Sequence, residues 1–157
     1  MSTAISAEVV NAFVSSLVNI FQAATGLKGE LSPLTLTTEL PPPPTFVVSI
    51  QIRGPLFGPT IWSFTPGVAG EITARMLGNA SSPPYDTAEV KDAVSEVANI
   101  VVGNATDALL KAGYPVDLSP PKAEFATSAE KLLERTLTVS LNTSAGPLSL
   151  HLALRQA

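Results

Sequence analysis

Asp92-Ala-Val-Ser-Glu96-Val-Ala-Asn99-Ile-Val-Val-Gly103-Asn104 is the stretch from which the rest of the chain can be read. At about 100° per residue, Val90, Val94, Val97 and Val101 fall on one stripe of a helix. Asp92, Glu96, Asn99 and Gly103 fall on the opposite stripe. The valines therefore face a core and leave a carboxylate and a carboxamide facing out. Side chains three residues apart on a helix stand roughly 5–6 Å from each other at Cβ and point the same way. Glu96 and Asn99 thus form a short, rigid, two-pronged probe. It suits a helix inserted into another protein's active site better than one wall of a pocket.

Spacing alone leaves a plainer alternative open, in which Glu96 and Asn99 decorate a solvated helix face. Two features favour contact. Asparagine is a poor residue for a helix interior, yet Asn99 and Asn104 both lie there. Gly103 costs about 1 kcal/mol relative to alanine on the same outward stripe. A second Glu-x-x-Asn, at Glu8 and Asn11, has no glycine or further asparagine after it and carries little functional weight.

Working outward, Asp86-Thr-Ala-Glu89 reads as a capping box opening this helix, which runs to about Lys111 and ends at Gly113. An earlier helix is expected over 7–25, with Ser6 as N-cap, Gly26 closing it, and Val10, Phe13, Leu17, Ile20, Phe21 and Ala24 on one face. A shorter helix opens at Thr65-Pro66 and closes at Gly78. Alternation predicts strands at 34–38, 46–53 and 57–64 before it. Further strands are expected at 114–118, 123–126, 137–141 and 148–154, with a hairpin turn at Thr143–Gly146. The expected fold is α/β: a largely antiparallel sheet, two long helices and a shorter one, in one domain spanning 1–157. Ser15-Ser-Leu-Val-Asn-Ile20 resembles Ser95-Glu-Val-Ala-Asn-Ile100, a likeness as consistent with a pseudo-twofold duplication as with chance.

Composition narrows the classes. Apolar residues make up 45% and charged residues 14%, enough to close a core in 157 residues. Thirteen acidic residues outnumber nine basic ones and no basic run occurs, which argues against nucleic acid and anionic membranes as partners. With no cysteine, disulfides, thiolate metal sites and cysteine nucleophiles are excluded, and a reducing cytoplasm fits. Polar residues interrupt the apolar N-terminal stretch, so neither a signal peptide nor a membrane span is expected there.

At the residues of the long helix the chain resembles the CheC/CheX/FliY phosphatases of bacterial chemotaxis, CheX-type members above all. Their pattern of Asp or Ser, three residues, Glu, two residues, Asn is met by Asp92, Glu96 and Asn99. Further likenesses are Asn11-x-Phe13, Arg75-Met-Leu-Gly78 and Leu118-Ser-Pro-Pro121. CheC-type members carry two motif helices and CheX-type members one. Ser16 stands where a second glutamate would be needed, so the chain resembles the one-site type, with Ser16 and Asn19 as the counterpart positions. It departs from the pattern at Pro120 and Pro121, which fall a residue or two early, and in the charged insertion Ala129–Arg135.

The resemblance implies hydrolysis of the aspartyl phosphate on a phosphorylated CheY-like response regulator. It implies no cofactor of the protein's own, because Mg²⁺ and an active-site lysine come from the regulator. Asn99 would orient the attacking water, Glu96 would pair with that lysine, and Asp92, Gly103 and Asn104 would form the contact surface. A homodimer and a cytoplasmic location are also implied. The alternative is a non-catalytic regulator-binding or dimerisation module of the same fold.

Other candidates are weaker. His151, the sole histidine, is expected on the solvated face of a strand, opposite Leu148, Leu150, Leu152 and Leu154, and no triad or metal site is built on it. Pro41–Pro44 reads as a stiff connector between strands rather than a polyproline ligand, and Trp62 as core.

Overall fold

The structure, a computed structural model, describes residues 5–78, 87–128 and 131–156, with positions 133 and 134 described for their backbone alone. In chain order the elements are α1 (Ala7–Thr25), β1 (Gly29–Leu31), β2 (Thr35–Glu39), β3 (Thr45–Arg53), β4 (Leu56–Phe64), α2 (Pro66–Leu77) and α3 (Ala88–Lys111), then β5 (Asp117–Leu118), β6 (Lys122–Ala126), β7 (Lys131–Thr143), β8 (Gly146–Leu152) and β9 (Arg155–Gln156).

Each of these helices begins at a hydroxyl. The N–H groups of Val9, Val68 and Val90 donate to Ser6 Oγ, Thr65 Oγ1 and Thr87 Oγ1 at 3.3, 3.5 and 3.3 Å, satisfying donors that a helix start leaves free. The cap of α3 is therefore Thr87, one residue later than the expected capping box, and Asp86 lies outside the described residues. That shift puts Glu89 at the second helical position. It still meets the positive end of the helix dipole but is one residue short of the box geometry. Gly26 and Gly78 end α1 and α2 in the left-handed region, at φ 71 and 69.

The strands pair antiparallel throughout, in the order β1-β7-β8-β4-β3-β5. β2 joins β1 on β7, β6 joins β5 on β3, and β9 pairs with the start of β4. Three expectations are corrected. β1 was not anticipated, because three residues are too few to show alternation. The strand expected at 114–118 shrinks to Asp117–Leu118: Tyr114 N–H donates back to Leu109 O at 2.8 Å, and Pro115 has no N–H to offer a ladder. From Lys131 the supposed insertion is strand, since β7 already pairs with β2 at Lys131↔Glu39. Pro41–Pro44 does connect β2 to β3.

The register stacks rows of apolar residues under the helices. Phe46, Phe64, Leu148 and Leu141 form one row, and Val48, Trp62, Leu150 and Val139 the next, all essentially fully buried. Trp62 stacks on Phe64 with ring centroids 5.5 Å apart, so it is core as expected. By length and composition α1 could cross a membrane, but its Phe13, Leu17 and Phe21 are fully buried in this core. Val10, Ile20 and Ala24 are only half-buried, because α1 turns Val9, Ala12 and Ser16 inward as well.

Candidate functional site

α3 is held from one side only. Val90, Val94, Val97 and Val101 are fully buried, as are Ala98, Val102, Ala105 and Leu109. Ser16 Oγ donates to Val101 O at 2.6 Å, a distance that needs the two helix backbones close together. The opposite stripe faces outward. Asp92, Glu96, Asn99 and Asn104 are all exposed, as the helical period predicts. No hydrogen bond or ion pair within the described residues occupies the Glu96 carboxylate or the Asn99 carboxamide.

Gly103 continues the stripe and is not required by the fold. A Cβ there would meet no atom within 4 Å, whereas one at Gly58 would lie 2.3 Å from Ala153 O. A glycine in the middle of a helix, in open space, costs stability with no internal packing to account for it. What the side chain's absence does provide is access to the helix backbone beside Glu96 and Asn99.

One residue of this surface was missed by sequence reasoning. Ile100 is 37% exposed and lies one helical turn beyond Glu96, on the same side. The signal was available: an isoleucine next to the polar stripe rather than among the valines. Glu89, Asp92, Glu96 and Asp107 give the exposed side a negative charge, with Ile100 as an apolar spot within it.

The counterpart positions on α1 do not repeat this arrangement. Ser16 is buried between α1 and α3, while Asn19 is exposed and its Nδ2 donates to Ser15 Oγ at 3.3 Å. Glu8 and Asn11 are exposed near the start of α1. Arg75, in the Arg-Met-Leu-Gly segment, pairs with Glu71 at 2.8 Å, and its Nη1 donates to Gly26 O at 3.0 Å. It thereby ties α2 to the end of α1.

His151 was expected in solvent and is not. It is 1% exposed, with Nε2 3.0 Å from Ser63 Oγ and Nδ1 2.9 Å from Thr138 Oγ1. The leucine alternation was read correctly, but the sheet curls, and its second face is covered at this point. Burial lowers the His151 pKa from 6.5 to about 4. Ser63 and His151 look like two parts of a triad, yet the second ring nitrogen meets a threonine hydroxyl and Ser63 is itself 2% exposed. The pair is a structural crosslink.

A family model described as chemotaxis phosphatase CheX matches residues 46–136. The CheY-P phosphatase CheX of Thermotoga maritima is 25% identical over 115 residues, which is 73% of this chain and 74% of that protein. A crystal structure of the chemotaxis protein CheX from Vibrio vulnificus superposes with a TM-score of 0.81 at 23% identity, covering 95% of this chain and 99% of that one. The match to the CheX-CheY-BeF3-Mg²⁺ complex from Borrelia burgdorferi has a TM-score of 0.69 at 18% identity, covering 95% and 96%. These two superpositions show the fold: three helices against a curled antiparallel sheet.

Proposed function

Because the chain belongs to the CheX family of chemotaxis phosphatases, we propose that it removes the aspartyl phosphate from a CheY-like response regulator, with Glu96 and Asn99 as the working pair. The observation that carries this reading is the outward stripe of α3, where both side chains are exposed and have no hydrogen-bond or ion-pair partner among the described residues. An acyl phosphate is already labile, so the phosphatase has mainly to position water. The Asn99 carboxamide both donates and accepts, and would hold a water in line with the phosphorus. The water oxygen bonds to phosphorus as the bond to the aspartyl oxygen breaks, giving inorganic phosphate and a free carboxylate. Glu96 would pair with a lysine of the regulator and fix the docking angle. Asp92, Gly103 and Asn104 would lie against the partner.

This reading assigns the protein no cofactor of its own. On this reading the Mg²⁺ is the regulator's; the Borrelia complex contains CheY, BeF3 and Mg²⁺. It also implies a cytoplasmic protein. The test is the decay of phosphate on a CheY-type regulator from the same genome, with and without the protein. A rate well above the regulator's own supports the enzyme. Binding without acceleration would leave only a docking module.

Gly103→Ala separates site from scaffold. Stability should rise by about 1 kcal/mol, since alanine is the better helix former and the site is open. The melting temperature should then rise by about 2–4 °C, while phosphatase activity falls because the added methyl holds the regulator off. Equal activity at raised stability would remove Gly103 from the site.

The reading includes a homodimer. Leu31, Leu34 and Leu36, at or beside the β1 and β2 edge of the sheet, are 46%, 45% and 54% exposed, an apolar margin suited to being covered. Light scattering that finds a monomer at assay concentration would withdraw the dimer and leave the chemistry intact.

A further inference from the structure

On the phosphatase reading, Glu96 and Asn99 address the phosphoryl centre and the lysine beside it, groups that any phosphorylated regulator would present. They cannot by themselves choose among regulators, so discrimination has to come from contacts outside that centre. α3 supplies them. At about 100° per residue, Glu89, Asp92, Ile100, Gly103, Asp107 and Leu110 all point within about 40° of Glu96. All of these but the half-buried Gly103 are exposed.

The stripe has two unlike halves. Its N-terminal half carries three carboxylates, Glu89, Asp92 and Glu96. Its C-terminal half carries two large apolar side chains, Ile100 and Leu110, 37% and 61% exposed, with Asp107 between them. None of the chain's nine Lys and Arg falls within that arc: Lys91 lies on another side of the helix, and Lys111 just past its end. Single exposed apolar residues are ordinary on a protein surface. These two, however, share one outward line with Glu96, and α3 packs through their neighbours Val101 and Leu109, which are fully buried. Leu110 is the most exposed large apolar residue among the described ones.

At 1.5 Å per residue, Asp92 to Leu110 spans about 27 Å. A specific interface takes roughly 800 Å² from each partner, a patch about 30 Å across. One regulator seated on this stripe therefore covers its whole length. We propose that the regulator's footprint runs along α3 to Leu110, with Ile100 and Leu110 as the contacts that set which regulator is accepted. The partner that fits has a basic rim at its phosphorylation site and two apolar patches about 15 Å apart leading away from it. This footprint presupposes the phosphatase reading and adds two residues that touch neither the phosphoryl group nor the water.

The test uses a CheY-type regulator from the same genome, loaded with beryllofluoride for binding and phosphorylated for turnover, against Ile100→Gln and Leu110→Gln. Glutamine is a good helix former and both positions are exposed, so the melting temperatures should stay at the wild-type value. Each substitution should raise KM and Kd about fivefold or more, the scale of an interface contact that matters, while kcat at saturating regulator holds. Asn99→Ala should do the reverse, losing kcat and keeping Kd. Ile100→Leu and Leu110→Met, which restore the apolar surface, should bind like wild type. Wild-type KM and Kd in either glutamine variant, or a fall in kcat at unchanged KM, would overturn the footprint and leave the phosphatase standing. Binding without turnover by the wild type would remove the phosphatase, and the variants' Kd values would still decide the footprint. No binding at all would remove both. Loss of self-association in Leu110→Gln would give that side chain to a second copy of the chain and overturn the footprint too.

Discussion

Asn99→Ala should lose at least about 100-fold of the protein's acceleration of regulator dephosphorylation, the scale expected when a reacting group is no longer held in position. The stability of the variant should not fall. Asn99 is exposed in a helix interior, has no hydrogen-bond partner among the described residues, and alanine is the better helix former by several tenths of a kcal/mol. Folding and catalysis therefore move in opposite directions, and lost activity cannot be blamed on a damaged scaffold. Docking should persist, since Glu96, Asp92, Ile100 and Asn104 are unchanged. Single-turnover decay of phosphoregulator, read beside direct binding, checks both halves. Wild-type acceleration by Asn99→Ala would sink the assigned role.

A second large effect concerns pH. His151 titrates at about 4 when folded, against 6.5 when unfolded, because burial penalises its charged form. Between those values the unfolded chain takes up a proton that the folded chain refuses, so acid favours unfolding. The stabilising difference is fully present above pH 6.5 and is lost as the pH falls toward 4. The loss amounts to about 3 kcal/mol at 1.36 kcal/mol per pH unit, or roughly 6–12 °C in melting temperature for a domain of this size. His151→Gln keeps a polar side chain between Ser63 and Thr138 but cannot titrate. Wild type should lose several degrees more than this variant between pH 7 and pH 4.5. Matching losses would assign the acid sensitivity to carboxylates shared by both proteins.

The site was legible in the sequence because a helix converts spacing into direction. Once Val90, Val94, Val97 and Val101 define the buried stripe, Glu96 and Asn99 have only one side left. Hydroxyl caps and closing glycines fixed the helix limits for a similar reason: both act on the four or so backbone groups nearest a helix end. The strands were legible wherever alternation ran for several residues. It failed at β1, which is too short, and at the charged start of β7, whose strand state comes from pairing with β2.

Only tertiary structure could decide the rest. Alternation told His151 apart from its leucine neighbours, but a strand has two faces and the pattern cannot say that a curled sheet buries both. The hydroxyls that receive the imidazole come from β4 and β7, 88 and 13 residues away in sequence. The burial of Ser16 follows from the helix pairing of α1 with α3, which its local sequence does not encode. The cleft on the far face of the sheet brings together residues of β3, β4, β6, β7 and β9, which lie far apart in the chain. Local chemistry settled which residues α3 presents to a partner. The meeting of distant strands settled what lies beneath them, because burial depends on the elements that arrive from elsewhere in the chain.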